Sequence, residues 1–373
     1  MKNIRKNKKK KNESSIIGRL RGWFYHGRFI GFDIQSIIMT VLTALTIITT
    51  VIMGLLLYNR FKMAIKQTAV TNTENMVENT VEKLDADLLN VRQITNAVNY
   101  NIIQEYDISS RDFNRQFSLL YEINADKIQS MALYDDKGNL LTAEPVTVQK
   151  DAVEPSEQDW YQDAEADIEN IHFSIPHIQN LFVDGTYRYY WVVSLSRSVD
   201  INDGEQPGSG VLLVDMKYSV IEDTLARIND ASNGIYYYLC NRDGQMIYHP
   251  RGTDMDRGYF KEEYRDAATY EDGTYELTVN GRTSNVIVNS VAYTGWKVVG
   301  VVPESVQIAS INRFRYYIIT TVIILMMMLL GVNRIISKKI SRPILKLNES
   351  VKAYEAGGPT DIYIGGSSEI RHL

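Results

Sequence analysis

The stretch IQSMALYDDKGNLLTA, residues 128–143, decides the fold. An apolar run, the turn Asp136-Lys137-Gly138-Asn139 and a second apolar run read as strand, tight turn, strand. The pattern returns in GIYYYLCNRDGQMIYHP, residues 234–250, with Arg242-Asp243-Gly244-Gln245 as the turn. The turn glycines, Gly138 and Gly244, lie 106 residues apart. That offset is the size of a small α+β domain, so the chain reads as two similar units in tandem.

More strands follow each hairpin. In the first unit they are TYRYYWVVSLSRSV (186–199) and GVLLVDMKY (210–218), rich in β-branched and aromatic residues and joined by the turn loop NDGEQPGSG. Ser219 to Asp230 reads as a helix linking the units. In the second unit TYELTVNGR, SNVIVNSVAY and GWKVVGVVP form a meander with turns at Asn280-Gly281 and Thr294-Gly295. Pro303 fits the first turn of a following helix.

Upstream, no Gly or Pro occurs between Leu55 and Lys137. Apolar residues at Val77, Val81, Leu84, Leu88 and Val91 step by four, three, four, three, a heptad seam on a long stalk helix. Such a seam suits a dimer, or equally a helix packed on its own domain. A second helix is expected around Phe113, Phe117 and Leu120, capped by Ser109 or Ser110.

Two apolar spans enclose all of this. Ile37–Tyr58 holds 22 residues without a charge, enough for a hydrocarbon core about 30 Å thick. Tyr316–Val332 holds 17 and is only just long enough. Residues 1–33 carry ten Lys/Arg and residues 334–373 carry seven, whereas 34–333 carry 23 basic against 39 acidic residues. Basic flanks stay in the cytosol, so both termini are expected inside and the acidic middle outside. The long basic lead and the absence of a small-x-small site after Leu57 favour an uncleaved anchor over a signal peptide. The run KNKKKK is then a lipid-headgroup contact rather than a nucleic-acid site. Cys240 is the single cysteine, which excludes an intramolecular disulfide.

The strings MALYDDKGNLL, DWYQDA, YWVVSLSR, GVLLVD, YYYLCNRDGQMIYHP and GWKVVGVVP, in this order between an apolar span, a stalk and a return helix, resemble the double Cache sensor. The resemblance covers about Asn59 to Arg315 and implies an α+β fold of two PAS-like antiparallel sheet units. The expected organisation is a basic cytosolic terminus (1–36), transmembrane helix (37–58), stalk and distal helices (59–126), membrane-distal Cache unit (127–230) and membrane-proximal Cache unit (231–303). A return helix (304–315), second transmembrane helix (316–332) and partial relay (333–373) complete it.

In Cache sensors that bind amino acids, the distal unit holds the ligand. An Arg two places before a Trp-Tyr-x-Asp run grips the carboxylate, and a later strand-end Asp grips the amine. Trp160, Tyr161 and Asp163 match that run and Asp215 matches the later acid, while the Arg position is Gln158. An amide cannot make the bidentate charge-assisted contact, so this position argues against an α-amino acid and leaves an amine, a polyol, a sugar or a small peptide as the ligand class. Independently of the family, Trp160 and Tyr161 offer flat apolar faces with polar edges. Asp215 lies in an apolar run, where a carboxylate is costly unless paired; capping the turn into the next helix is its structural alternative. Tyr190, Trp191 and His177 are further candidates, with structural roles as alternatives.

Near the carboxyl end Ser341-Arg342-Pro343 reads as the start of a helix, with Ser341 as cap, and Ile340, Ile344, Leu347, Val351 and Tyr354 keep a heptad step. Gly357-Gly358-Pro359 breaks it, and Ser367-Ser368-Glu369-Ile370 restarts it. This resembles the HAMP relay, a parallel four-helix coiled coil of a dimer, with Pro343 in its first helix and Glu369 opening its second. A relay cut at Leu373 reads as a piece of a longer protein.

No catalytic constellation is visible: the five histidines show no paired metal spacing, and there is no Gly-x-Ser-x-Gly or phosphate loop. DINDGEQPG lacks the register of a calcium loop. No cofactor, no metal site and no nucleic acid are therefore expected. The expected partners are a small extracellular solute, the lipid bilayer, a second copy of the chain and, where a kinase domain follows, a response regulator. The leading expectation is a membrane receptor forming the sensory part of a two-component histidine kinase. The alternatives are a chemotaxis receptor or cyclic-dinucleotide enzyme with the same sensor, and an anchored binding protein without signalling.

Overall fold

The longest elements are two helices, and both follow from composition. Helix α1, Ile34–Val98, contains one glycine and no proline. Helix α6, Glu304–Glu355, carries Pro343 in its interior. The computed structural model describes residues 34–146, 148–167, 170–183, 188–202, 207–229 and 234–357. The basic terminus, the Gly358-Pro359 break and Glu369 lie outside the described residues. The chain divides into two compact parts, Met1–Met63 with Ile311–Leu373, and Ala64–Ser310.

In the first part, two helices are long and apolar enough to cross a membrane. Side chains such as Leu45, Leu55, Ile324 and Met327 stand exposed along them, as lipid-facing residues do. The helices meet through small and polar residues. A Cβ at Gly54 would lie 3.3 Å from a Val322 methyl. Asn333 Nδ2 donates to Thr46 Oγ1 at 2.6 Å and to the Leu42 carbonyl at 3.3 Å. Small residues and interhelical hydrogen bonds are the usual attraction between helices where no hydrophobic force operates.

Ser341-Arg342-Pro343 does not open a helix. Residues 304–355 form one helix, and Ser341 is buried with its hydroxyl unpartnered rather than capping an amide. The helix reaches Ser341 already formed, so no free first-turn amides exist there to cap. Pro343 then removes one internal hydrogen bond, which is tolerated in such helices. Likewise Pro303 is the last residue of a strand, and the helix begins at Glu304.

In the second part, the stalk portion of α1 ends in a short π-turn at Asn99–Ile103. Helix α2, Arg111–Asn124, follows, with Ser110 Oγ accepting the Phe113 amide at 3.1 Å. The first sheet contains β1 (Ile128–Asp135), β2 (Leu140–Glu144), β3 (His172–Phe173), β4 (His177–Ile178), β5 (Trp191–Asn202) and β6 (Pro207–Lys217). Its order is β2-β1-β6-β5-β3, with β4 also on β5. Helix α3, Asp159–Ala166, covers one face. Helix α4, Ser219–Ile228, leads to the second sheet of β7 (Tyr236–Cys240), β8 (Met246–Tyr248), β9 (Gly273–Val279), β10 (Arg282–Ser290) and β11 (Lys297–Pro303). A short helix α5, Gly252–Asp256, follows β8. The order β8-β7-β11-β10-β9 repeats that of the first sheet.

The two hairpin turns repeat in atomic detail. Asp135 Oδ1 accepts the amides of Lys137 and Asn139 at 2.9 and 2.7 Å. Asn241 Oδ1 accepts those of Asp243 and Gln245 at 3.0 and 2.8 Å. Each turn is closed by a glycine in the left-handed region, Gly138 or Gly244. Strand β5 begins at Trp191, later than the sequence pattern suggests, and the two-residue strands β3 and β4 have no signal of their own.

The heptad seam is used inside the chain. Val77, Leu84, Leu88 and Val91 are buried in one core with Ile128, Leu212 and Val214 of the first sheet and Tyr237, Leu239 and Val298 of the second. This is the alternative of a helix packed on its own domain, and the seam is not free to pair a second copy. Contact with the second sheet is closest at Gly300, where a Cβ would come within 2.7 Å of Thr73 Cγ2 and 2.8 Å of Val77 Cγ2. Gly300→Val is expected to destabilise this part by about 1–3 kcal/mol through overpacking, read as a lower unfolding midpoint in denaturant.

Candidate functional site

Strand alternation divides β6 between two duties. Leu212, Val214 and Met216 join the core around α1, while Val211 and Leu213 join a second cluster under α3. Asp215 shares the parity of the second set. Across the ladder it stands opposite Ser130 of β1 and Ser194 of β5. The Ser130 hydroxyl donates to Asp215 Oδ2 at 2.6 Å and the Ser194 hydroxyl to Oδ1 at 2.5 Å. The carboxylate is 1% exposed. Burial holds its pKa above the ordinary aspartate value, with the two hydroxyls and the nearby His177 pulling the other way.

His177 extends the chain of bonds. Its Nε2 lies 3.3 Å from Ser194 Oγ, and its Nδ1 lies 3.1 Å from the Ile175 carbonyl and 3.3 Å from Ser174 Oγ. With Ser194 donating to Asp215, Nε2–H donates to Ser194. An imidazolium would donate at both nitrogens and neutralise part of the buried charge.

The aromatic wall comes from β1 and α3. Trp160 packs 5.5 Å from the Tyr134 ring and 5.7 Å from Tyr161. Tyr161 Oη donates to the Asp135 carbonyl at 2.7 Å, tying α3 to the hairpin, and burial pushes its phenol up to about 12. Asp163, by contrast, is exposed on α3 and takes no part in the cluster. Tyr190 is half-buried before β5, and Trp191 is half exposed against Tyr218, at 6.4 Å. Gln158 stands at the start of α3 with its amide on the Glu154 carbonyl at 3.3 Å. So Trp160, Tyr161, Asp215 and His177 come together on this face, and Asp163 does not.

Among the described residues, Tyr134 Oη and Ser196 Oγ on this face are buried with no hydrogen bond. Burial and the Asp215 charge both raise the Tyr134 phenol. A buried hydroxyl left unpaired costs about 1–3 kcal/mol. Neither residue stood out in the sequence, nor did Ser130 or Ser194. The available signal was parity: Ser194 and Ser196 alternate with Val193 and Leu195, and Ser130 and Tyr134 share a face with Ala132.

The family model of the Cache domain matches residues 61–311. The chain belongs to the Cache-domain family. A probable methyl-accepting chemotaxis protein of Bacillus thuringiensis is 20% identical over 367 residues, 93% of this chain and 51% of that protein. The methyl-accepting chemotaxis protein TlpB of Bacillus subtilis is 23% identical over 231 residues, 61% of this chain and 30% of that protein. The chain thus spans about half the length of one relative and less than a third of the other. The Campylobacter jejuni chemoreceptor Tlp3 sensory domain, solved with isoleucine bound, superposes with TM-score 0.51 at 12% identity, covering 66% of this chain and 97% of that one. The ligand-binding domain of Mlp24 with asparagine gives 0.50 at 14% identity, covering 67% and 98%. The Cache fold is therefore shared, and these relatives are chemotaxis receptors, the reading placed second to a histidine kinase from sequence alone.

Because the Asp215 pKa is raised on folding, the folded state binds that proton more tightly. Its contribution to stability is present below the unfolded value and is lost as pH rises through the folded value. Asp215→Asn is expected to abolish that component. Unfolding free energies should fall with rising pH more steeply in wild type than in the variant, checked by denaturant titration across the acid range.

Proposed function

We propose that this chain is the sensory and membrane-spanning part of a chemotaxis receptor. It crosses the bilayer twice, keeps both termini in the cytosol and holds its Cache domain outside, in line with the charge asymmetry of the flanks. The membrane-distal unit binds a small polar solute on the face of Asp215, Trp160 and Tyr161. Tyr190 and His177, the latter bonded to Ser194, are its further candidates. The observation that carries this reading is the buried carboxylate beside two unpartnered hydroxyls, Tyr134 Oη and Ser196 Oγ.

A buried anion held by neutral serines favours a cationic group on the ligand. An ammonium supplies it, and the unpartnered hydroxyls bind the neighbouring polar atoms. The amino acids bound by Tlp3 and Mlp24 carry such a group, which makes an amine or amino-acid ligand the leading class here. Gln158 in the family's Arg position weakens the grip on a carboxylate. Ligand binding biases the chain between two arrangements, and the dimer reads the bias through a relay with Pro343 in its first helix and Glu369 in its second. The relatives favour a chemotaxis output; a histidine kinase and its response regulator have no such support.

Titration of the membrane-reconstituted chain with L-isoleucine, L-asparagine and ethanolamine tests the site. Asp215→Ala is expected to weaken whichever solute binds by at least about tenfold. Unchanged affinity in a folded Asp215→Ala chain overturns the assignment.

A further inference from the structure

The two units repeat in topology and not in chemistry. The 106-residue offset puts Tyr236 where the first unit has Ser130, and Val301 pairs with Tyr236 as Asp215 pairs with Ser130. Val286 then stands opposite Val301, where Ser194 stands opposite Asp215. The second sheet therefore carries no buried acid at this place. Its face nevertheless opens into a cleft of about 1020 Å³, bounded by Tyr236, Tyr248, Phe260, Tyr264, Arg251 and Arg282.

Glu263 and Glu304 line this cleft, and Glu262 bonds to three of its lining residues. Glu262 is buried, accepting from Tyr236 Oη at 3.0 Å, from the Tyr264 amide at 2.9 Å and from His249 Nε2 at 3.0 Å. The Arg251 amide donates to His249 Nδ1 at 3.0 Å, which leaves the ring proton on Nε2, facing Glu262. Glu263 accepts from Asn280 at 3.2 Å. The guanidinium groups are less committed. Arg251 places its guanidinium carbon over Phe260, 4.0 Å from the ring centre, and its Nε donates to Asp254 at 3.0 Å. Arg282 opens β10 and has no carboxylate within 4.0 Å among the described residues. Residues Glu304 and Ser305, the first turn of α6, also line the cleft, and a helix N-terminus favours negative charge.

We infer that this cleft is a second ligand site, specific for a small organic carboxylate with an aromatic or branched apolar body. Arg282 grips the carboxylate through its planar fork. Tyr236, Phe260 and Tyr264 enclose the body, and Arg251 stacked on Phe260 holds that wall in place. Glu263 and Glu304 line the cleft beside Arg251 and Arg282, so the anion is held by direct guanidinium contact rather than by net charge. The site differs from the Asp215 face in the sign of the group it recognises, so the two respond to different solutes.

The test is calorimetric titration of the reconstituted full chain with 3-phenylpropionate, beside inorganic phosphate. Saturable binding of 3-phenylpropionate, weakened at least about tenfold in Arg282→Ala and unchanged in Asp215→Ala, is the expected result. Arg282 is exposed, so its replacement leaves the fold intact, and Arg282→Lys restores only part of the affinity because the fork is lost. Absence of saturation, phosphate binding as tight as 3-phenylpropionate, or full affinity in Arg282→Ala overturns the site.

Discussion

The apolar face of one helix holds the second part of the chain together. Val77, Leu84, Leu88 and Val91 of α1 are buried among side chains of both sheets, in a single continuous core. Neither sheet closes its inner face without that helix. The close approach at Gly300 fixes where the helix crosses β11, because any larger residue meets Thr73 and Val77. Close-packed interiors transmit displacement rather than absorb it. A shift of α1 is therefore felt by both sheets, which is what a sensor built on one long helix requires.

With one face of each sheet committed to α1, strand alternation leaves the other for ligand chemistry. In the first sheet that face carries Ser130, Tyr134, Ser194, Ser196 and Asp215 beneath Trp160 and Tyr161. In the second, valines stand in place of the acid and serine, and aromatic side chains and guanidinium groups surround the opening. The same strand order thus carries a buried acid on one sheet and valines at the matching places of the other. The two sheets share strand order and turn chemistry and differ in the side chains at ladder-paired positions.

Much of the fold was legible in the chain. The two hairpins announce themselves because a turn needs an Asx oxygen and a left-handed glycine at fixed places, and both turns use them. The apolar spans, a cap at Ser109 or Ser110 and the meander of β9 to β11 follow from composition and period alone, and the structure selects Ser110. Ser341-Arg342-Pro343 carries the local signature of a helix start, yet the helix arrives there already formed from upstream. At the candidate site, the resemblance points to Trp160, Tyr161, Asp163 and Asp215; the structure buries all of these but Asp163, which is exposed on α3.

The sequence by itself determined the two tandem units, the helical stalk and the apolar spans, because each rests on periodicity or turn chemistry that neighbouring residues specify. Only the tertiary structure decided which partners Asp215 has, since Ser130 and Ser194 are 85 and 21 residues away and meet it across a ladder. It also decided that the heptad seam packs inward, because an apolar stripe carries no label for the surface that buries it. The unpaired hydroxyls of Tyr134 and Ser196 belong to the same class: whether a polar group is satisfied depends on every atom around it, and no local pattern encodes that.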